Sequence, residues 1–308
     1  MGDTRVPVNG VLLVDKPVGP SSNAVLQRAK RLLGAARAGH TGTLDPLASG
    51  LLVIGLGEAT KFTGALLGAD KAYRARVKLG ARTETGDAEG AVLERSEVSA
   101  TREDLLAALD RFRGEIEQLP PRHAAIKHQG RPLYAYARRG EHVPRSPRPI
   151  VIRRLELEQF EGDTVRLFVE CSKGTYIRVL AEDLGAALGC GAHLAGLERT
   201  AVGPFRLGQS VALEALEALA PPERLERLLP PEALLGSRPH LTLEDRDVSA
   251  GGFSRFRQRK RRGLRRGRDV PRHRRSGLVP DTAAEAPARP PVKRVPHQNI
   301  LLKALISR

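Results

Sequence analysis

Residues 71–80 read KAYRARVKLG, in which Tyr73, Ala75, Val77 and Leu79 alternate with Arg74, Arg76 and Lys78. A period of two fits a pleated strand with one apolar and one cationic face. A slip of one residue would turn three cations into the core, so this segment fixes both a sheet and which side of it is buried. Other strands are expected at Gly10 to Val14, at Leu51 to Leu56, and at Ile150 to Phe160 and Val165 to Cys171, the last two joined through Gly162 and Asp163.

Helical spacing appears between these runs. Val25, Leu26, Ala29, Leu32 and Leu33 recur three and four apart, with Ser21 or Ser22 as N-cap and Gly34 as the stop. A short helix is expected from Thr60 with Phe62, Leu66 and Leu67. Another follows Thr101 and Asp104, burying Leu105, Leu106, Leu109 and Phe112 until Pro120 and Pro121 break it. A third carries Tyr176, Val179, Leu180, Leu184 and Leu188 after the turn Ser172-Lys173-Gly174-Thr175. Helices and strands are interspersed without a regular βαβ repeat, which predicts a mixed α+β body and not a dinucleotide-binding fold.

The formal net charge of +16 invites a nucleic-acid reading. Its distribution restricts that reading. Residues 251–308 hold 17 Lys and Arg against Asp269, Asp281 and Glu285, so the first 250 residues, with 34 basic and 32 acidic groups, are almost balanced. Twelve of the 21 residues from Arg255 to Arg275 are basic, and little apolar material accompanies them. Such a stretch is expected to stay disordered after residue 251. It arises either as a basic RNA-binding tail or from a shifted reading frame in a GC-rich gene. Cys171 and Cys190 are too few for a disulfide scaffold and have no metal-ligand spacing, so reduced thiols and no metal are expected. No signal segment opens the chain, and no run approaches the ~18 apolar residues of a membrane span, which predicts a soluble cytoplasmic protein.

Residues 38–50, AGHTGTLDPLASG, lose all periodicity while gathering His40, Thr41, Thr43 and Asp45, so a polar loop is expected there. Pro46 biases Asp45 toward extended backbone, presenting its carboxylate on a constrained support. That carboxylate can serve as nucleophile or base, or it can simply cap the turn. Arg178 can meet a carboxylate or a phosphate from the start of its helix, or can be an ordinary solvated arginine. Lys173 can contact phosphate. Tyr73, on the apolar face of its strand, packs by default, although its ring can also stack beneath an extruded base. No P-loop lysine accompanies the glycines, and nucleotide hydrolysis has no support.

Taken together, GVLLVDKPVGPSS (residues 10–22), GHTGTLDPLASGLLVIGLGEATK (39–61), KAYRARVKLG (71–80), TETGDAEG (83–90), QLPPRHAAIKHQGRPLYAYARRG (118–140), CSKGTYIRVLAEDLG (171–185) and HLAGLERTAVGPF (193–205) resemble the TruB family of pseudouridine synthases. The likeness covers about 200 residues in order. It implies the pseudouridine synthase fold, with a mixed, largely antiparallel central sheet and surrounding helices. It also implies isomerisation of a flipped T-loop uridine in tRNA, without cofactor, by a monomer that binds the T-arm. By the same resemblance Asp45 is the catalytic aspartate, Tyr73 the aromatic that supports the base, and Arg178 the salt-bridge partner of Asp45. His40 lies near displaced RNA bases, and Leu197 lines the base pocket. Residues 1–235 are then the catalytic domain, and residues 236–308 stand where the family carries a small β-rich RNA-binding domain. Ala124 replaces a usual Ser, and Glu198 a usual Arg. A noncatalytic RNA-binding or ribosome-associated protein and an RNA N-glycoside hydrolase are the competing classes.

Overall fold

The computed structural model describes residues 7–236, which form one compact unit. Residues 237–308, including the expected basic, disordered ending, lie outside the described part. The elements in the first third are β1 (Gly10–Lys16), α1 (Ser22–Leu32), β2 (Ala38–His40), β3 (Ala48–Leu56), a 3-10 turn (Gly57–Phe62), the single-turn α2 (Gly64–Leu67), β4 (Lys71–Leu79), β5 (Ala81–Thr83) and β6 (Val92–Arg95). Then come α3 (Arg102–Asp110), β7 (Gly114–Gln118), β8 (Lys127–His128), β9 (Arg131–Pro132), α4 (Leu133–Ala137), β10 (Arg148–Glu161), β11 (Thr164–Cys171), α5 (Ile177–Ala187), β12 (Ala192–Val202), β13 (Phe205–Arg206), β14 (Val211–Ala212) and α6 (Leu213–Ala218).

Ten strands form the central sheet in the order β14-β1-β3-β12-β4-β11-β10-β7, with β2 on β3 and β13 on β12. Among the described residues only the pairs β1–β14 and β3–β12 of this sheet run parallel, as expected for a mixed, largely antiparallel sheet. β12 enters between β3 and β4, so a late segment occupies the middle of the sheet and touches both earlier ones.

Burial differs across the sheet for a reason visible in the sequence. The unbroken apolar runs of β1 and β3 are covered on both faces. Leu12, Val14, Leu52 and Ile54 pack toward α1 and α6, while Val11, Leu13, Leu51 and Val53 pack toward Phe62, Leu66 and Phe205. The alternating β4 is covered on one face only, where Ala75, Val77 and Leu79 meet α3 and α5. Its cations are engaged laterally: Arg74 pairs with Glu158 at 3.0 Å, Lys78 with Asp163, and Arg76 donates to the Ala195 carbonyl. The cationic face is therefore largely tied to β12, to β10 and to the β10–β11 turn.

Three sequence expectations need correction. The polar loop is shorter than residues 38–50, because β2 zips against the far end of β3, with His40 opposite Ile54, leaving only residues 41–47 irregular. Thr60 lies inside the 3-10 turn, and the α-helical part begins at Gly64. The helix after Thr101 has its capping box, with Asp104 in the acidic position, but ends at Asp110. Leu106 is 39% exposed and Ala108 takes its place in the core. Gly114, at φ +84°, then starts β7 against β10, so Pro120 and Pro121 follow a strand and not a helix.

Adjacent leucines on α3 provide a direct test of this packing. Leu105 is fully buried, so Leu105→Ala should cost about 2–5 kcal/mol. Leu106→Ala should cost no more than about 0.5 kcal/mol. Urea midpoints decide the matter, and comparable losses at both positions would contradict the helix's orientation.

Candidate active site

The irregular segment between β2 and β3 is held by side chains that reach it from outside. The Ser22 hydroxyl, buried in the first turn of α1, accepts from the Leu44 amide at 2.7 Å and donates to the Leu44 carbonyl at 2.9 Å. Ser21 is the N-cap of that helix, so the two serines divide the roles of capping and clamping. Lys16, at the end of β1, is fully buried and donates from Nζ to the Ala48 carbonyl at 2.6 Å and the Pro17 carbonyl at 2.8 Å. The Gly19 amide donates to the Pro46 carbonyl. Asp45 is thus held from both sides while its side chain remains 45% exposed.

Arg178 reaches Asp45 from α5. Its start is fixed by Gln118, which accepts from the Tyr176 amide at 2.7 Å and donates to the Tyr176 carbonyl at 3.0 Å. Gly174, at φ +81°, makes the turn before it. The Arg178 side chain is only 7% exposed. Nη1 donates to the Thr85 carbonyl at 3.1 Å and Nη2 to the His123 carbonyl at 3.0 Å. Nη2 lies 3.2 Å from Asp45 Oδ2, and Nη1 lies 3.5 Å from Oδ2 of the buried Asp87. Asp87 is itself anchored by the Thr85 hydroxyl and the Glu89 amide.

These groups border a cavity of about 280 Å³, whose wall includes Asp45, Arg178, Tyr73, Leu197, Ala124 and Arg199. That is close to the lower end of small-ligand sites, roughly 300–1,000 Å³. Burial pushes the Tyr73 phenol above its ordinary 10.0, with Arg199 pulling the other way. The phenol is therefore protonated at neutral pH. Leu197 sits on β12 between Ala48 of β3 and Ala75 of β4, which places its side chain beside the loop that carries Asp45. Ala124 presents only a methyl group to the cavity, and Glu198 stands in register with Arg74 on the sheet.

Two sequence candidates stand outside this wall. His40 lies on β2 with Nδ1 buried and without a hydrogen-bond partner, and burial, followed by the charge of Arg199, holds its pKa below the ordinary 6.5. Lys173 is exposed next to the cavity residues Ser172 and Gly174 but is not part of the wall. Conversely, Lys16, Ser22, Asp87, Gln118 and Arg199 escape a reading by sequence. Each looks like an ordinary polar residue until its burial is known. Among the described residues no group of three or more His, Cys, Asp or Glu could hold a metal, and no helix is long and apolar enough to cross a membrane.

Comparison with known proteins gives the family of the chain. Residues 30–177 match the model for the N-terminal domain of TruB family pseudouridylate synthases, and residues 178–235 match that for the tRNA pseudouridylate synthase B C-terminal domain. The chain belongs to the TruB family. It is 56% identical over 237 residues to a tRNA pseudouridine synthase B of Aromatoleum aromaticum, covering 77% of each chain. It is 57% identical over 215 residues to one of Pseudomonas fluorescens, covering 70% of each. Among solved structures, a Cbf5-Nop10-Gar1 complex contains a chain similar to it at 30% identity and TM-score 0.61, with 78% of this chain and 66% of that one covered. The boundary between the two TruB models falls between Ile177 and Arg178, inside α5. Because β12 then runs between β3 and β4, the two matched segments share one sheet here.

Lys16 gives the site a measurable pH signature. Burial lowers its pKa from 10.5 to about 8, against the favourable charge of Asp45. Between about pH 8 and about pH 10.5 the unfolded chain binds more protons, so stability rises with pH there, and the burial penalty is fully present below that window. Lys16→Met should flatten this rise. Lys71, also lowered to about 8 by burial, contributes equally to both proteins. Urea unfolding at about pH 7.5 and about pH 9.5 checks the difference, and an equal rise in both proteins would contradict it.

Proposed function

We propose that this chain is a tRNA pseudouridine synthase that isomerises a T-loop uridine, working as a single chain on the T-arm. The observation that carries the reading is the Asp45 carboxylate, 3.2 Å from a buried arginine, in the same cavity wall as Tyr73. The names of the relatives, tRNA pseudouridine synthase B, supply the tRNA part.

The chemistry needs no redox step. The bond between uracil N1 and ribose C1′ breaks with its electron pair going to the base, the base turns in place, and C5 bonds to C1′. The C5 proton is lost and N1 gains one, so atoms and charge balance. Asp45 serves this sequence either as a nucleophile at C1′ or as a base at C2′. Arg178 fixes the carboxylate's direction through a guanidinium that two backbone carbonyls already hold in place. Tyr73, kept protonated, offers a ring face and a hydroxyl donor to the base. Leu197 adds an apolar wall, and the enclosed space retains the detached base until it recombines. Reaching this cavity requires the uridine to leave its stack, at a cost of a few kcal/mol. In this proposal His40 and Lys173 contact RNA outside the cavity, consistent with their positions at its margin.

Purified protein should convert a uridine to pseudouridine in an unmodified tRNA transcript with no added nucleotide. Asp45→Asn should lower the saturated single-turnover rate by at least about 100-fold while binding the transcript comparably. Nuclease digestion and chromatography read the product. Free uracil would favour the hydrolase, whereas unchanged RNA with intact binding would favour the noncatalytic module.

A further inference from the structure

Among the described residues Arg199 is the largest side chain that is fully buried, at 1% exposed. It lies on β12 in register with Gly50 of β3 and with Tyr73 of β4, between the strand that follows the Asp45 loop and the strand that carries Tyr73. Its guanidinium spreads over three carbonyls. Nε donates to Leu51 at 2.8 Å, Nη1 to Thr43 at 3.3 Å and Nη2 to Gly42 at 3.1 Å. Gly42 and Thr43 precede Asp45 and Leu51 follows it, so the bonds grip the Asp45 loop on both flanks. Beside them stands the Tyr73 phenol, whose interaction with Arg199 offsets part of the guanidinium's burial. Among the described residues Arg199 forms no ion pair with a carboxylate, unlike the buried Arg178, which faces Asp45 and Asp87.

A buried cation without a counter-charge is costly, and an apolar residue of similar size would pack a sheet interior more cheaply. The chain packs closely around Arg199. A Cβ at Gly50 would meet the Arg199 backbone at 2.5 Å, and Gly50 adopts φ +98°, so the strands approach here more closely than any side chain at that position allows. A Cβ at Gly42 would lie 3.5 Å from Arg199 Nη1. Planar donors spread over several acceptors are a property of guanidinium that lysine's single ammonium lacks.

We propose that Arg199 is a positioning residue for pseudouridine formation. It ties the Asp45 loop to the Tyr73 strand, setting the distance between carboxylate and phenol across the cavity. The proposal rests on the function assigned above. Arg199 does not contact the reacting atoms in this account, and its effect is transmitted through backbone carbonyls and the Tyr73 side chain.

The test compares Arg199→Lys with wild-type full-length protein on a tRNA transcript, measuring affinity, thermal midpoint and single-turnover rate at saturating enzyme. Lysine keeps the charge, but its one ammonium nitrogen cannot stand at the three places where Nε, Nη1 and Nη2 each meet a carbonyl, so the saturated rate should fall at least about tenfold. Affinity should stay within about threefold. Leu216→Ala, in the core beside α1, serves as the control for lost stability alone. It should lower the thermal midpoint yet leave the saturated rate within about twofold. A wild-type saturated rate in Arg199→Lys, or an equal loss in Leu216→Ala, would overturn the proposal. Should Arg199→Lys fail to fold, Gly42→Val and Gly42→Ala replace it. Valine's added carbons reach the guanidinium where alanine's methyl only touches it, so a saturated rate at least about fivefold lower in the valine variant supports the proposal and equal rates overturn it. Failure of wild-type protein to make pseudouridine would instead overturn the assigned function, so the two failures are distinguishable.

Discussion

The Arg178 guanidinium is the contact on which the cavity's geometry depends. It is almost fully removed from water, two backbone carbonyls fix its plane, and two carboxylates share its charge. Those two carboxylates differ in a useful way. Asp87 is buried and anchored by neighbours, so it acts as a fixed counter-charge. Asp45 is half exposed at the cavity wall, so its free oxygen can meet substrate. The buried pair is Arg178 with Asp87, and removing one partner of it would leave an uncompensated charge, a loss of about 3–5 kcal/mol. The same arrangement that orients Asp45 therefore also couples the site to folding.

Buried cations recur on the other side of the loop. Lys16 and Arg199 both donate to backbone carbonyls around Asp45, and both have their pKa lowered by burial. Ser22 completes the set without charge. A loop of seven residues carries few internal hydrogen bonds, so it depends on such side chains from β1, α1 and β12 for a single conformation. Replacing them with apolar residues would relieve desolvation and forfeit that conformation. The sheet pays this cost where chemistry is proposed, and elsewhere its core is ordinary aliphatic packing.

Much of this was legible in the sequence because it depends on local periodicity. The alternation of Tyr73 through Leu79, the spacing of Val25 through Leu33 and the Gly162-Asp163 turn all specify their elements directly. Asp45, Tyr73, Arg178 and Leu197 were legible through family motifs, and the structure brings all four to one cavity. What failed to show depends on long-range pairing. β2 is only three residues long and exists because it meets β3. The end of α3 was set by Gly114 and its pairing with β10, which no helical pattern records. Arg199 sits in an alternating strand where a cation reads as surface, and only the insertion of β12 between β3 and β4 buries it.

The most direct test of the central claim exchanges Arg178 for lysine, keeping the positive charge but removing the fork that reaches Asp45, Thr85 and His123 together. Saturated single-turnover conversion of uridine in a tRNA transcript should fall by about 100-fold, the scale expected when a reacting group is misplaced by about 1 Å, while transcript affinity changes little. A variant that folds, binds the transcript and isomerises it at the wild-type rate would show that the guanidinium geometry does not set the position of Asp45.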